Sequence, residues 1–223
     1  MPAGRYRLIN ARPSPYGRKV AIALLEKGLA FDVTYDEPWS DHSTTGDYSP
    51  LQQLPILITP EGDAVCDSSH ILDWLEIRHP KPALLPEAQA DRLAALNMKA
   101  LGERLMEIAQ SLIFEMHRPQ PAAAWIDRQT AKIAGGLGEL DRLSALPFAS
   151  HTVPLHLGHI AVATSLLVWE FVVAHGISPP IAVLRWRGTY PTLTELIEQL
   201  EVHPSFVMTQ PGAMPVNISA AIS

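Results

Sequence analysis

Cysteine is almost absent from this chain, and that scarcity removes one class of chemistry. The 223 residues include one cysteine, Cys66, so the chain has no Cys-x-x-Cys pair. It therefore lacks the attacking and resolving thiols of a dithiol redox enzyme. A single cysteine inside an apolar strand segment is typically a small buried hydrophobe, and we interpret Cys66 in that way. Any nucleophilic sulfur must come from a bound substrate.

Basic charge is also scarce. Lys and Arg number 17 against 23 Asp and Glu, which gives a formal net charge of −6 at pH 7. A nucleic-acid surface needs a basic patch, and the sequence has no basic cluster interleaved with aromatic residues. We therefore expect no nucleic-acid partner.

Long apolar runs, internal repeats and low-complexity tracts are lacking too. The most apolar stretch, residues 160–174, is interrupted by Thr164, Ser165 and Glu170. It is shorter than the about 20 residues that a membrane span needs. The N-terminus lacks the charged-then-apolar pattern of a signal peptide. We expect no membrane partner, a cytoplasmic location and a buried helix over this stretch.

The first 35 residues predict a strand-helix-strand unit. Tyr6–Asn10 has the pattern of a short strand, and Ser14 is a favoured N-cap with proline at the first helical position behind it. The helix is predicted to end at Gly28, where a left-handed C-cap forms most easily. Phe31–Tyr35 alternates as a second strand. The short connection favours a right-handed crossover and a parallel pair.

Ser14 has a chemical interpretation as well as a structural one. Its hydroxyl lies beside free backbone N–H groups at the positive end of a helix dipole, which favours an anion such as a thiolate. A thiol with a pKa of about 8.5 needs roughly 2.7 kcal/mol of preferential stabilisation to lower that value by two units. The alternative is that Ser14 only caps the helix.

An antiparallel hairpin is predicted next, and a second helix follows it. Pro55 opens a strand, which is a tolerated position, and a turn over 60–63 leads into Ala64–Cys66. Ser68 is predicted to cap the following helix. The Ser68 hydroxyl and the adjacent N–H groups can hold a carboxylate, and Asp67 can accept from an ammonium. The alternatives are a trans proline at an edge strand and a cap with no ligand.

The second half of the chain is predicted to be entirely helical. A proline-rich stretch over 79–86 is the best linker candidate. Beyond it the breaks and apolar spacing predict helices at about 88–116, 122–144, 158–175 and 191–201.

Six short motifs, taken in order, resemble the glutathione transferase family. Each alone is weak, but together they cover nearly the whole chain. They are Ser14-Pro15-Tyr16-Gly17-Arg18-Lys19-Val20, Leu54-Pro55-Ile56, Asp67-Ser68-Ser69-His70-Ile71-Leu72, Leu84-Leu85-Pro86, Arg118-Pro119 and His203-Pro204-Ser205-Phe206.

The resemblance implies an α/β plus all-α fold. A thioredoxin-like domain over residues 1–80 is expected to bind glutathione, and a helical-bundle domain over 87–223 is expected to contribute the second-substrate pocket. It also implies a two-fold homodimer.

The resemblance further implies how glutathione is held. The proline at 55 is expected to be cis and to turn the Leu54 backbone toward the cysteinyl unit of the peptide. Asp67 and Ser68 are expected to bind its γ-glutamyl end. Gln53 can hydrogen-bond its glycine carboxylate. Ser14 is the expected catalytic residue.

Two departures from the family pattern stand out. Relatives usually read Asn-Pro-x-Gly-Lys-Val-Pro before the key proline, whereas this chain has Gln52 and Gln53 in place of the glycine and lysine, so we expect weaker glutathione binding. Relatives also open the central helix with Ser or Thr and, three residues on, Asp; here His156 and His159 occupy those places, which predicts a weakened capping box. His156 and His159 lie three residues apart and could share a helix face, so they are also candidate metal ligands. Zinc sites normally add a cysteine, a carboxylate or tighter spacing, so we expect no metal.

Candidates for the second-substrate pocket are weaker. Tyr16 lies in the first turn of the first predicted helix and is also a rival to Ser14 as the thiol donor. Met106 and Gln110 follow helical spacing with Phe114, although a helix-helix core is the alternative use of that stripe.

The function that follows is a Ser-type, bacterial-style glutathione transferase acting on a small electrophile in detoxification. One alternative is a glutathione-binding or transferase-like protein with little turnover. The other is a glutathione-dependent isomerase or peroxidase. The sequence does not identify the electrophile.

Overall fold

A computed structural model describes residues 4–38, 40–150 and 152–214. The described chain divides into two units. The first contains residues 4–84 together with 204–214, and the second contains residues 85–203. The segment 204–214 differs from the predicted boundary, which assigned it to the helical domain.

The first unit contains a four-stranded mixed sheet in the order β2-β1-β3-β4. The central strand β1, Tyr6–Asn10, pairs in parallel with β2, Phe31–Tyr35. On its other side β1 pairs antiparallel with β3, Ile56–Ile58, which forms a hairpin with β4, Ala64–Cys66. The predicted strands and the parallel pair are confirmed.

Three helices belong to this unit: α1, Pro15–Glu26; α2, Ser68–Arg78; and the short α7, Pro204–Met208. Helix α1 begins after Ser14, and Gly28 follows its end in the left-handed region at φ 65°. Both ends of α1 are as predicted. Helix α7 was not predicted, because five residues are too few for an apolar period to show.

A buried lysine fixes the start of the proline-rich segment. The Lys27 ammonium donates to the carbonyls of His79 at 2.7 Å and Pro82 at 2.9 Å, and its side chain is fully buried. The Glu76 carboxylate neutralises Lys27 and also accepts from the Leu84 N–H at 3.1 Å. The residues that leave the first unit are thus held by charge-assisted hydrogen bonds.

The second unit is helical. Its long elements are α3, Gln89–Met116; α4, Ala123–Ser144; α5, Leu157–Ala174; and α6, Pro191–Glu201. Each lies within two residues of its predicted bounds.

Helices α3 and α5 pack closely through small residues. A Cβ at Gly102 would lie 2.8 Å from the Ala161 carbonyl carbon, and a Cβ at Gly158 would lie 2.7 Å from the Ala95 carbonyl oxygen. Helix α5 is long and apolar enough to cross a membrane by length and composition, but 72% of it is buried inside the protein. This burial is typical of a core helix, as predicted.

The prediction of a weakened capping box at the start of α5 was wrong. The His159 N–H donates to Nδ1 of His156 at 3.2 Å, and the His156 N–H donates to Nδ1 of His159 at 3.4 Å. The two rings stack with centroids 3.6 Å apart, and each Nε2 donates to a backbone carbonyl, of Phe148 and Ala149 respectively. An unprotonated imidazole nitrogen accepts a hydrogen bond as a hydroxyl or carboxylate does, so a histidine pair can form the reciprocal box.

Candidate functional site

The candidate site begins where the carboxyl end of β1 meets the amino end of α1. Ser14 is half-buried, and its Oγ accepts the Gly17 N–H at 3.2 Å as the N-cap of α1. A hydroxyl has one proton to donate as well as lone pairs to accept with. The capping bond uses a lone pair, so Ser14 can cap the helix and still donate to a thiolate. The two interpretations of Ser14 are therefore compatible.

Close packing holds the first turn of α1 against the sheet. A Cβ at position 17 would lie 1.8 Å from Oδ1 of Asn10, a buried residue at the end of β1. That separation is far below any allowed contact. Only glycine at position 17 lets the turn carrying Ser14 sit over Asn10.

The second part of the site precedes β3. The Leu54–Pro55 peptide bond is cis, as the resemblance implies. Leu54 is half-buried, Pro55 is buried and Gln53 is exposed. Within the described ranges, no backbone hydrogen bond involves Leu54. Its N–H and carbonyl are therefore available to an extended peptide, as an added strand requires.

The third part lies at the start of α2, and here the sequence assigned the cap to the wrong residue. Asp67, not Ser68, is the N-cap: its Oδ1 accepts from the N–H groups of Ser69 at 2.7 Å and His70 at 3.1 Å. Ser68 is the first helical residue and is buried. Asp67 is exposed, and its Oδ2 takes no part in this cap. This second carboxylate oxygen can therefore meet a ligand.

Unusual backbone conformations cluster here. Among the described residues, the non-glycine residues with positive φ are Gln52 at 50° and Asp67 at 69°. Such conformations cost of order 1–3 kcal/mol and concentrate at functional sites. Both flank the backbone that the sequence assigns to glutathione, and neither gave a signal in the sequence.

The remaining candidates are distributed between the two units. Tyr16 is half-buried on α1 in the first unit, whereas Met106 is buried and Gln110 exposed on α3 in the second. The proposed pocket from these three side chains stays a prediction. Cys66 is half-buried against the cluster of Ile9, Ile56 and Ile58. No group of three or more His, Cys, Asp or Glu suited to a metal ion occurs in the part of the chain that the structure describes.

A mixed sheet of this order, a cis proline before β3 and an attached helical unit define a two-domain protein of the thioredoxin-like class. The glutathione S-transferase N-terminal domain family matches residues 13–78. A glutathione S-transferase from Methylobacterium radiotolerans, solved in complex with glutathione sulfonate, is 37% identical; the match covers 96% of this chain and 98% of that one, with a TM-score of 0.84. The chain belongs to the glutathione transferase family.

Two further relatives span almost the same length. A glutathione S-transferase from Methylobacillus flagellatus, solved with glutathione bound, is 27% identical over 93% of this chain and 100% of its own, with a TM-score of 0.80. The uncharacterized GST-like protein YibF of Escherichia coli is 29% identical over 208 residues, covering 92% of this chain and 98% of YibF. The predicted fold, a thioredoxin-like domain followed by a helical domain, is confirmed.

Proposed function

We propose that this family member is a glutathione transferase that holds the peptide along residues 53–55 and 67–68 and activates its thiol at Ser14. The observation that carries the proposal is the open Leu54 backbone ahead of the cis Pro55 in the same unit as Ser14 and Asp67. The cysteinyl unit pairs with the Leu54 backbone. The γ-glutamyl ammonium meets Asp67, and the γ-glutamyl carboxylate meets the Ser68 hydroxyl at the positive end of the α2 dipole.

Thiol activation then requires little beyond what the first turn of α1 supplies. Lowering a thiol pKa from about 8.5 to about 6.5 takes roughly 2.7 kcal/mol. A charge-assisted hydrogen bond contributes about 1.5–3 kcal/mol and a helix terminus about 0.3–1 kcal/mol. The Ser14 hydroxyl and the amino end of α1 are thus sufficient.

The chemical step transfers the glutathione sulfur to carbon. The thiol proton leaves to solvent, the thiolate sulfur forms a C–S bond at an electrophilic carbon, and the leaving group departs with its electron pair. When the electrophile is an unsaturated carbonyl compound, a proton from solvent completes the addition instead. Gln53 supplies a neutral hydrogen bond to the glycine carboxylate, so the peptide is held with less charge than a lysine would give.

We extend the proposal to a homodimer in the cytoplasm, where glutathione is kept reduced, with a role in detoxification. A groove of about 610 Å³ runs between α3 and α4, lined mainly by apolar and small residues with Arg104 and Arg142 at its side. Both arginines are already paired on their own helices, with Glu107 and Glu139. Leu93 and Leu146 border the groove, and Leu93 is 60% exposed. An apolar surface that contains no unpaired charge suits a second copy of the chain.

Isothermal titration with glutathione, followed by an activity screen, tests the proposal. We expect a dissociation constant of about 1 mM or lower, which corresponds to a binding free energy of about −4 kcal/mol or more favourable. We expect turnover of at least one class among aryl halides, epoxides and unsaturated carbonyls. Turnover of hydroperoxides alone would instead indicate a glutathione-dependent peroxidase. Binding without any turnover would instead identify a glutathione-binding protein, and absence of binding would contradict the site.

A further inference from the structure

An exposed arginine lies two residues ahead of Ser14, and the proposed function gives it no role. The Ser14 N–H donates to the Ala11 carbonyl at 3.0 Å and closes a tight turn that has Arg12 and Pro13 at its tip. The turn fixes the Arg12 backbone beside the amino end of α1. The Gly212 N–H also donates to the Arg12 carbonyl, at 3.3 Å.

The Arg12 side chain is held as well, although it is exposed. Its guanidinium lies over the Tyr35 ring, 4.2 Å from the centroid, and Tyr35 ends β2 at the carboxyl edge of the parallel strand pair. Stacking uses the flat face of a guanidinium. The N–H groups in the guanidinium plane take no part in such a contact, and their fork matches a carboxylate.

Within the described part of the chain, no carboxylate forms an ion pair with Arg12. The acid next to Tyr35 in the sequence is Asp36, which accepts from the Thr44 N–H at 2.9 Å and the Thr45 hydroxyl at 3.0 Å. These hydrogen bonds outweigh burial and lower the pKa of Asp36. Asp36 is thus an ionised carboxylate satisfied by its own loop, and the charge of Arg12 is left for a ligand.

We infer that Arg12 binds an acidic group on the electrophile, so that this enzyme prefers electrophiles carrying a carboxylate. The inference rests on the proposed function. Glutathione is assigned to the segments around β3 and β4, at Gln53, Leu54 and Asp67, whereas Arg12 and Tyr35 lie at the ends of β1 and β2. The sheet order places β1 and β2 on the other side of β3 from β4. An acid bound at Arg12 therefore reaches Ser14 from the side opposite to the γ-glutamyl end.

The test compares chloronitrobenzoate with the matching chloronitrobenzamide as electrophiles. In both, the thiolate sulfur bonds to the ring carbon, the C–Cl bond breaks and chloride leaves with its electron pair. The two rings differ in intrinsic reactivity, so the readout is the change in the ratio of their kcat/KM values on mutation. We expect Arg12→Gln to lower kcat/KM for the acid roughly tenfold, as loss of an exposed charge-assisted hydrogen bond implies, with the amide and the KM of glutathione almost unchanged.

Two variants sharpen the comparison. Arg5→Gln removes the same charge from the amino end of β1, where Arg5 is paired with Asp32 at 2.9 Å, and should leave the ratio unchanged. Arg12→Lys keeps the charge without the planar fork and should restore the ratio only in part. The preference for the acid should also weaken with added salt.

An unchanged ratio in Arg12→Gln overturns the inference while the transferase activity stands. A rise in the KM of glutathione with the ratio unchanged also overturns it and assigns Arg12 to the glycine carboxylate. If the wild-type protein turns over neither compound, the kcat/KM ratio cannot be measured, and the proposed function fails only when epoxides and unsaturated carbonyls are not turned over either. Calorimetry with the two glutathione conjugates then decides on Arg12: tighter binding of the acid conjugate that Arg12→Gln abolishes supports the inference, and equal binding overturns it.

Discussion

Ser14 can serve as a helix cap and as a thiol activator at once, because one hydroxyl can accept the Gly17 N–H and donate to sulfur. We expect Ser14→Ala to raise the thiol pKa of bound glutathione by about one to two units while leaving its affinity nearly intact. Loss of the cap should cost about 1 kcal/mol of folding free energy. The measurement is thiolate absorbance of the complex titrated against pH.

Ser14→Thr is the control, since it keeps both the cap and the donor. Tyr16→Phe tests the rival donor in the first turn of α1. A shift in thiol pKa seen only in Tyr16→Phe would transfer the activating role to Tyr16.

Asp67 caps α2 and is proposed to bind glutathione, and a single substitution can separate these two roles. Asp67→Asn keeps a good N-cap and tolerates positive φ, but it removes the charge that we propose binds the γ-glutamyl ammonium. We expect glutathione affinity to fall by about 1.5–3 kcal/mol with little change in thermal stability. Asp67→Ala should lose both affinity and stability. Calorimetry and thermal unfolding on the same samples measure the two effects, and equal glutathione affinity in wild type and Asp67→Asn would remove this carboxylate from the site.

At the candidate site, local sequence chemistry predicted the position of Ser14 as the N-cap of α1, because a hydroxyl followed by proline marks a helix start. Its catalytic role stays a prediction. The cap at Asp67 was missed because Asp and Ser are equally good caps, and the choice depends on the backbone angle at the junction with β4. The same limit applies to Gln52, whose conformation reflects the path of its loop.

At the scale of elements, the histidine capping box makes the start of α5 sensitive to acid. Burial lowers the pKa of His156 to about 4, and burial together with the neighbouring His156 lowers the pKa of His159 to about 3. Both are neutral when folded, and their Nδ1 atoms accept the capping bonds. The unfolded chain, with histidine pKa values near 6.5, binds more protons as the pH falls. Stability is therefore fully present above about pH 6.5 and is lost progressively below it.

The expected loss between about pH 6.5 and pH 5 is up to about 2 kcal/mol for each histidine. Urea unfolding at several pH values measures the loss.

The double variant His156→Ser with His159→Asp restores the usual box of the family and serves as the matched comparison. It should match the wild type at neutral pH and be the more stable of the two at about pH 5. Parallel pH profiles for the two proteins would mean that the histidines do not cause the acid sensitivity.

Element bounds were predictable because local chemistry sets them. Proline, glycine and capping residues fixed both ends of α1 and the breaks between the long helices. The return of residues 204–214 to the first unit could not be predicted from local sequence, because it depends on contacts between residues that are distant in sequence. Arg18 donates to the Phe206 carbonyl at 3.1 Å, and its guanidinium lies over the buried Phe206 ring.

At the scale of the whole molecule, we expect a dimer formed through the groove between α3 and α4. Light scattering at micromolar concentration should give a mass near twice the 24.4 kDa of one chain. Ala94→Arg places an unpaired charge in the groove and should shift the mass toward one chain. Val202→Arg is the control, because Val202 is 75% exposed at the end of α6 and does not line the groove. A single-chain mass that persists in the wild type as concentration rises would exclude the dimer.

The contact between Gly17 and Asn10 also limits how this site can evolve. Any side chain at position 17 must displace the Asn10 amide, whose Oδ1 is buried without a hydrogen-bond partner. A smaller residue at position 10 would open the space that a side chain at position 17 needs. The two positions therefore form one evolutionary unit, in which a change at position 10 must come before, or together with, a change at position 17. In the turn that bears Ser14, glycine at position 17 can therefore be replaced only when position 10 has already changed or changes with it.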